Sequence, residues 1–287
     1  MKIATFNPIY FGTQHLYNPE PNYGGSETVN LNHSTQFFRY DDADEFIINY
    51  LHGLNSKEPL NIISAGCSFG EEVYSYAMAL DDLENEPKIT GIDVSDKAIH
   101  DAKNGEYMLD DKERRMLEIN CPLESKIPQT PYKDRLKRKF NKYFLSTNPQ
   151  LQEYKKAEGA FKNCKFVCAD LLDIDTMFQA NSQDVILCRN VLYHLSNENK
   201  LKFLQHAYGI LKPNGILCIE PFGHYEYDEI LKEIGFVKPF PNSAKFMYLK
   251  PETEIQLHDL QKQLLLNKKP HFDDIQKCFE EDLFIHF

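Results

Sequence analysis

The sequence predicts an α/β, Rossmann-like fold: a mostly parallel sheet with helices on both faces and a terminal antiparallel hairpin. Three observations predict it. Short apolar runs alternate with stretches of helical period along most of the chain, the pattern of successive β-α units. One unit, Asn61 to Leu80, joins a strand to a helix through a turn containing Gly66 and Gly70. The next apolar run ends at Asp93, at the carboxyl edge where such sheets meet their ligands.

Taken in order, residues 1–33 hold many Asn, Pro, Gly and Tyr without periodicity and are expected to form an N-terminal arm. Ser34-Thr35 offers a helix N-cap ahead of Phe37, Phe38, Phe46, Ile47 and Leu51. Strands are expected at 61–65, 88–92, 165–168, 184–188 and 215–220, with helices at 71–82, 95–104, 197–211 and 226–234. The run Gly235 to Leu249, with Pro239 and Pro241 inside it, reads as the antiparallel hairpin at the sheet edge. Residues 251–287 read as a helical extension divided at Pro270, so the main domain is expected to span 34–250. Within it, residues 108–160 break the β-α rhythm and are expected to form an inserted subdomain. That insertion carries a basic run, Lys133, Arg135, Lys137, Arg138, Lys139 and Lys142, interleaved with Phe140, Tyr143 and Phe144. Three readings remain open: a solvated helix face whose aromatics anchor it to the core, a docking surface for an acidic acceptor, or a nucleic-acid contact, the last weakened by the acidic whole.

Composition narrows the function. A net charge of −11 on 287 residues disfavours broad phosphate-backbone binding, so nucleic acid is not the expected partner. No apolar run approaches the ~18 residues a membrane span needs. The opening MKIATFNPIYFG lacks the charged and apolar regions of a secretory leader. Seven cysteines, an odd count, read as reduced thiols of a cytoplasmic protein, and no CxxC or His pair argues for a metal.

The glycine turn and the helix start beyond it carry the chemistry. A strand, a tight turn and a helix N-terminus cradle small molecules, but Gly66 and Gly70 lack the G-x-G-x-x-G spacing of dinucleotide sites. Glu71 and Glu72, directly after the turn, would repel a pyrophosphate. They suit a ligand with a cationic amino group and free hydroxyls, such as S-adenosyl-L-methionine. Asp93 sits where an acidic residue bonds ribose hydroxyls, although an Asp there also serves to cap the next helix.

Five segments, in order, resemble the CheR-type methyltransferases, which methylate glutamate side chains of chemotaxis receptors. They are Thr35-Gln36-Phe37-Phe38-Arg39; Ser64 to Ser75, SAGCSFGEEVYS; Asp93 with Asn104-Gly105-Glu106-Tyr107; Phe166 to Leu172; and Asp184 to Leu192, DVILCRNVL, followed by Leu211-Lys212-Pro213-Asn214-Gly215. The resemblance covers about residues 34 to 250 and implies a class I methyltransferase fold. It implies that Thr35, Arg39, Gly66, Glu72 and Asp93 contact the cofactor, with Asp93 on the ribose. Asp170 and Leu171 would flank the adenine, and Arg189 and Asn190 would line the methyl-bearing end. Arg39 would orient the accepting carboxylate, because a guanidinium fork matches two carboxylate oxygens.

The chain departs from the family pattern in places. A short arm stands where the family carries an N-terminal helical domain. His33 and Asp170 stand where the family has Asn. After Cys188-Arg189-Asn190 the chain reads Val191-Leu192-Tyr193-His194-Leu195, so the family tyrosine is displaced by one position. Tyr193 and His194 are therefore the candidate side chains at the mouth of the site, beside Arg39. The function the resemblance implies is O-methylation of a glutamate carboxylate on a protein, a chemoreceptor being the family's acceptor. The alternatives are a class I methyltransferase with another acceptor, for which His194 or His224 would serve as base, and a weakly catalytic S-adenosylmethionine-binding module.

Overall fold

The computed structural model describes residues 35–39, 41–54, 56–109, 139–219, 227–238 and 246–252. In chain order its main elements are α1 (Asp41–Gly53), β1 (Asn61–Ala65), α2 (Glu71–Ala79), β2 (Lys88–Asp93), α3 (Asp96–Asn104), β3 (Glu106–Met108), β4 (Phe144–Asn148), β5 (Glu153–Lys156), β6 (Cys164–Cys168), β7 (Gln183–Cys188), α4 (Asn197–Ile210), β8 (Leu211–Ile219), α5 (Asp228–Ile234) and β9 (Met247–Leu249). The expected arm 1–33, the basic residues from Lys133 to Arg138, His224, Pro239 and Pro241, and the extension beyond 252 lie outside the described residues.

A six-stranded sheet runs in the order β6-β2-β1-β7-β8-β9. Every pairing in it is parallel except β8 with β9, which is antiparallel. Val237 bridges Leu249 in the same sense, giving the expected antiparallel edge. The strand order reverses direction between β1 and β7, so a crevice opens at their carboxyl ends. β1 and β7 are buried on both faces, as central parallel strands must be. Alternate residues feed two cores: Ile62, Val185, Leu187 and Ile216 on one face, and Ile63, Ile186, Cys188 and Leu217 on the other. The first core receives α1 and α2, the second α4 and α5.

The helix expected to start after Ser34-Thr35 begins instead at Asp41. Phe37 and Phe38 are both buried, and Phe38 adopts φ of 50°, outside the helical region. Its amide donates to Ser75 Oγ at 3.0 Å, so a tertiary contact replaces the local helix. The segment from Thr35 to Arg39 is thereby fixed as a turn against α2.

The insertion forms a three-stranded antiparallel sheet, order β3-β5-β4. Its strands are short and mostly polar, so no alternating pattern announced them. Its described aromatics anchor it to the core. The Phe37 ring lies 4.9 Å from Tyr107, 5.2 Å from Phe140 and 5.3 Å from Phe144. Two of the basic residues are also committed. Lys139 Nζ sits 2.6 Å from Asp81 and donates to the Ala79 carbonyl at 3.1 Å, while Lys142 Nζ and the Tyr143 hydroxyl donate to Asp81 Oδ2 at 2.8 Å each. Lys139 and Lys142 thus tie the insertion to the segment just after α2.

That junction predicts an acid sensitivity. Burial acts to raise the Asp81 carboxyl, but hydrogen bonds from Lys139, Lys142 and Tyr143 outweigh it and hold it below the ordinary carboxylate range. A carboxylate lowered on folding stabilises the fold above its unfolded value of about 3.9, and the stabilisation is lost as pH falls through the folded value. Asp81→Asn should therefore lower the urea midpoint at pH 7 and converge with the wild type as pH drops below about 4. Parallel pH profiles for the two proteins would contradict this.

Candidate active site

The crevice is built around the turn that leaves β1. Gly66 has φ of 75°, and its amide and that of Cys67 both donate to the Ile92 carbonyl, at 2.8 and 2.9 Å. A Cβ on Gly66 would come within 2.3 Å of Val191 Cγ2, so the turn and the loop after β7 pack in direct contact. Gly70, with φ of 92°, closes the turn, and a Cβ there would meet Phe166 Cε1 at 2.9 Å and Ala102 Cβ at 3.0 Å. The two glycines are thus required by left-handed backbone and by close approach together.

Asp93 holds this turn from the end of β2. Its Oδ2 accepts from the Ser68 amide and its Oδ1 from the Ser95 amide, each at 2.9 Å. Ser95, not Asp93, caps α3, accepting from the Ala98 amide at 3.2 Å. Asp93 is 8% exposed and a carboxylate has about four acceptor positions, so two remain for a ligand. Next to it Val94 is 61% exposed, an apolar side chain left uncovered at the rim. The loop after β6 lies alongside, with the Ala169 amide donating to the Asp93 carbonyl at 3.0 Å. There Asp170 is exposed and accepts from the Leu172 amide at 2.9 Å, while Leu171 is buried beneath it. Val94 was missed from sequence; its only signal was an apolar residue directly after the acidic end of a strand.

The two glutamates of α2 divide. Glu71 is fully buried, so it does not face a ligand as the sequence suggested for the pair. Glu72 keeps a side-chain exposure of 17%. Its Oε1 accepts from Ser64 Oγ at 2.6 Å, and its Oε2 from Arg189 Nε at 2.7 Å and Nη2 at 2.6 Å. Arg189 also donates from Nη1 to Asp44 Oδ1 at 2.6 Å, and Asp44 accepts there from the Tyr76 hydroxyl at 2.8 Å. The side chains of Arg189 and Asp44 are each 3% exposed. The Arg189 head group is therefore buried and holds Glu72. Burial raises the Asp44 carboxyl, while Arg189 and Tyr76 act against that rise. Burial opposes the charge on Arg189 too, but Asp44 and Glu72 keep it protonated.

The remaining candidates lie on two connecting segments. Asn190 takes φ of 60° and leads into a single 3-10 turn, Leu192–His194. Tyr193 is 59% exposed, His194 is exposed, and their rings lie 4.1 Å apart. Thr35 is half-buried and Arg39 exposed, on the turn fixed to α2 through Ser75. Cys67 is not a nucleophile: burial, with Asp93 beside it, pushes its thiol well above the ordinary value. Among the described residues no group of three or more His, Cys, Asp or Glu could hold a metal, and no helix is long and apolar enough to cross a membrane.

This donor set fits a nucleoside carrying a cationic tail: acceptors for hydroxyls at Asp93, apolar surface at Val94, and a partly exposed carboxylate at Glu72. Comparisons with known proteins agree. Residues 33–120 match the family model of the CheR methyltransferase SAM binding domain, and residues 131–219 match that of a methyltransferase domain. A chemotaxis protein methyltransferase of Campylobacter jejuni is 29% identical over 64% of this chain and 62% of its own length. Chemotaxis protein methyltransferase 1 of Pseudomonas aeruginosa is 31% identical over 58% of this chain and 55% of its own. The chain thus spans somewhat over half the length of these curated relatives. Among solved structures, magnesium protoporphyrin IX methyltransferase from Synechocystis PCC 6803 with bound SAM aligns over 69% of each chain at 16% identity and a TM-score of 0.39. The mostly parallel sheet with its antiparallel last strand is the fold expected of a class I methyltransferase, and residues 33–120 are similar to the CheR methyltransferase SAM binding domain family.

Proposed function

We propose that the chain is an S-adenosylmethionine-dependent methyltransferase whose acceptor is a glutamate carboxylate on a protein, a cytoplasmic segment of a chemoreceptor being the leading candidate. The observation that carries the cofactor reading is the Gly66–Gly70 turn held by Asp93 at the strand-order switch. Asp93 would take the ribose hydroxyls on its two remaining acceptor positions. Val94 and Leu171 would cover the adenine faces, with Asp170 at its edge. Glu72 would take the ammonium of the amino-acid tail, and Thr35 and Asn190 would close around that end.

Bound S-adenosylmethionine supplies a methyl group already activated on a sulfonium. A glutamate acceptor is ionised near neutral pH, so no general base is needed. The protein's part is alignment and exclusion of water. Arg39 would pair both oxygens of the acceptor carboxylate and aim one of them along the carbon–sulfur axis. Phe37 and Phe38, the two buried residues just before it, hold that arginine's backbone in place. Tyr193 and His194 would cover the acceptor's approach. The match to relatives named chemotaxis protein methyltransferases supports a protein acceptor in the same process.

Two variants test this. Asp93→Ala should weaken S-adenosylmethionine binding by about 1–3 kcal/mol, the scale for stranding buried hydrogen-bonding groups, as read by calorimetry. Unchanged affinity would remove the ribose role. Arg39→Ala should lower turnover of methyl-labelled cofactor onto receptor segments far more than it lowers cofactor affinity, because its acceptor contact tightens only in the aligned complex. Wild-type transfer rates in that variant would exclude Arg39 from the chemistry.

A further inference from the structure

We infer that Asp44 is a positioning residue for cofactor recognition: acting through Arg189, it keeps Glu72 open to the ammonium of the ligand's amino-acid tail. The inference rests on the cofactor reading above and goes beyond it, because Asp44 lies on α1, outside the glycine turn and every motif the sequence offered. Its carboxylate takes the Nη1 hydrogen bond of Arg189 at 2.6 Å and the Tyr76 hydroxyl at 2.8 Å.

Acceptor and donor counting carries it. Arg189 has five N–H donors in a rigid fork. Its Nε and Nη2 edge grips a single oxygen of Glu72, Oε2, at 2.7 and 2.6 Å. The other oxygen, Oε1, takes one bond from Ser64 at 2.6 Å. Three of the roughly four acceptor positions of Glu72 are filled, and the last belongs to the partly exposed oxygen. Asp44 draws the Nη1 end of the fork away from Glu72. Without it, the guanidinium would swing to grip both Glu72 oxygens as a bidentate pair, the arrangement Arg prefers, and would take the position the ligand needs.

The guanidinium of Arg189 is shared between the carboxyl groups of Asp44 and Glu72, at 2.6 Å from each, so a change at either one is felt at the other. The same cluster joins α1, α2 and β7, so a purely architectural role is the competing account. The two differ in which ligand suffers.

The test compares S-adenosylhomocysteine, which carries the amino-acid tail, with 5′-methylthioadenosine, which has the same adenine, ribose and thioether but no tail. In Asp44→Asn, affinity for S-adenosylhomocysteine should fall about tenfold, the scale of one charge-assisted hydrogen bond, while affinity for 5′-methylthioadenosine stays within about twofold. Glu72→Gln should show the same selectivity. Ser64→Ala frees an acceptor position on Oε1 and should leave the tail preference intact, so a loss common to both ligands there would mark a general collapse of the site. Should Asp44→Asn fold poorly, Tyr76→Phe, which removes one donor from Asp44 and keeps the ring, should reproduce the selectivity in weaker form. Equal losses for both ligands, or none for either, in Asp44→Asn or in Tyr76→Phe would overturn the inference. A wild-type chain that binds neither ligand would instead overturn the cofactor reading on which it rests.

Discussion

The turn after β1 hangs from the end of β2, and the rest of the site depends on that suspension. Two consecutive amides, Gly66 and Cys67, share the Ile92 carbonyl, and a third, Ser68, reaches the Asp93 carboxylate. This works only because β1 and β2 run parallel with Ala65 opposite Ile92. A slip of one residue would carry Asp93 to the opposite face and leave three amides without partners. The register of the central strands and the shape of the crevice are therefore one constraint. Asp93 serves both, since the carboxylate that faces the crevice is also the one that holds its wall.

The cluster around Arg189 sets a different constraint. Withdrawing a guanidinium and a carboxylate from water costs several kcal/mol per ion before their mutual attraction is counted. An apolar triad of similar volume would hold α1, α2 and β7 together with less risk. The ionic solution gives direction instead: each bond of the fork specifies an angle as well as a contact. The cluster is thus ionic and buried, whereas the groups proposed to meet ligand and acceptor, Val94, Asp170, Tyr193, His194 and Arg39, stand exposed on connecting segments.

The main sheet was legible in the sequence because its strands are buried on both faces and its helices carry clear caps. Apolar runs such as Ile62-Ile63 and Val185-Ile186-Leu187 leave few alternatives, and Ser95 and Ser196 mark two helix starts that the structure keeps. The small sheet was not legible, because Glu153-Tyr-Lys-Lys and Phe144-Leu-Ser-Thr-Asn follow no binary pattern; their order comes from aromatics contributed by distant segments. The start of α1 was misplaced for a related reason. Local capping chemistry at Ser34-Thr35 favoured a helix, and a tertiary bond from the Phe38 amide to Ser75 overrode it. In the site, Glu72 and Arg189 were recognisable as residues. Their pairing was not, because Asp44, which completes it, has no motif around it.

The aromatic cluster also bears on how the molecule opens. The rings of Tyr107, Phe140 and Phe144 stand around that of Phe37, and these residues come from three widely separated parts of the chain. Sub-global openings in proteins follow such shared contacts rather than sequence neighbourhoods. The small sheet and the Thr35–Arg39 turn consequently form one cooperative unit: when the sheet detaches, Phe37 loses the walls around it and the turn is released as well. Phe37, Tyr107, Phe140 and Phe144 also belong to the first core of the main sheet. Opening the small sheet would therefore reach both the turn that carries Arg39 and one face of the main sheet, and leave the second core with its own residues.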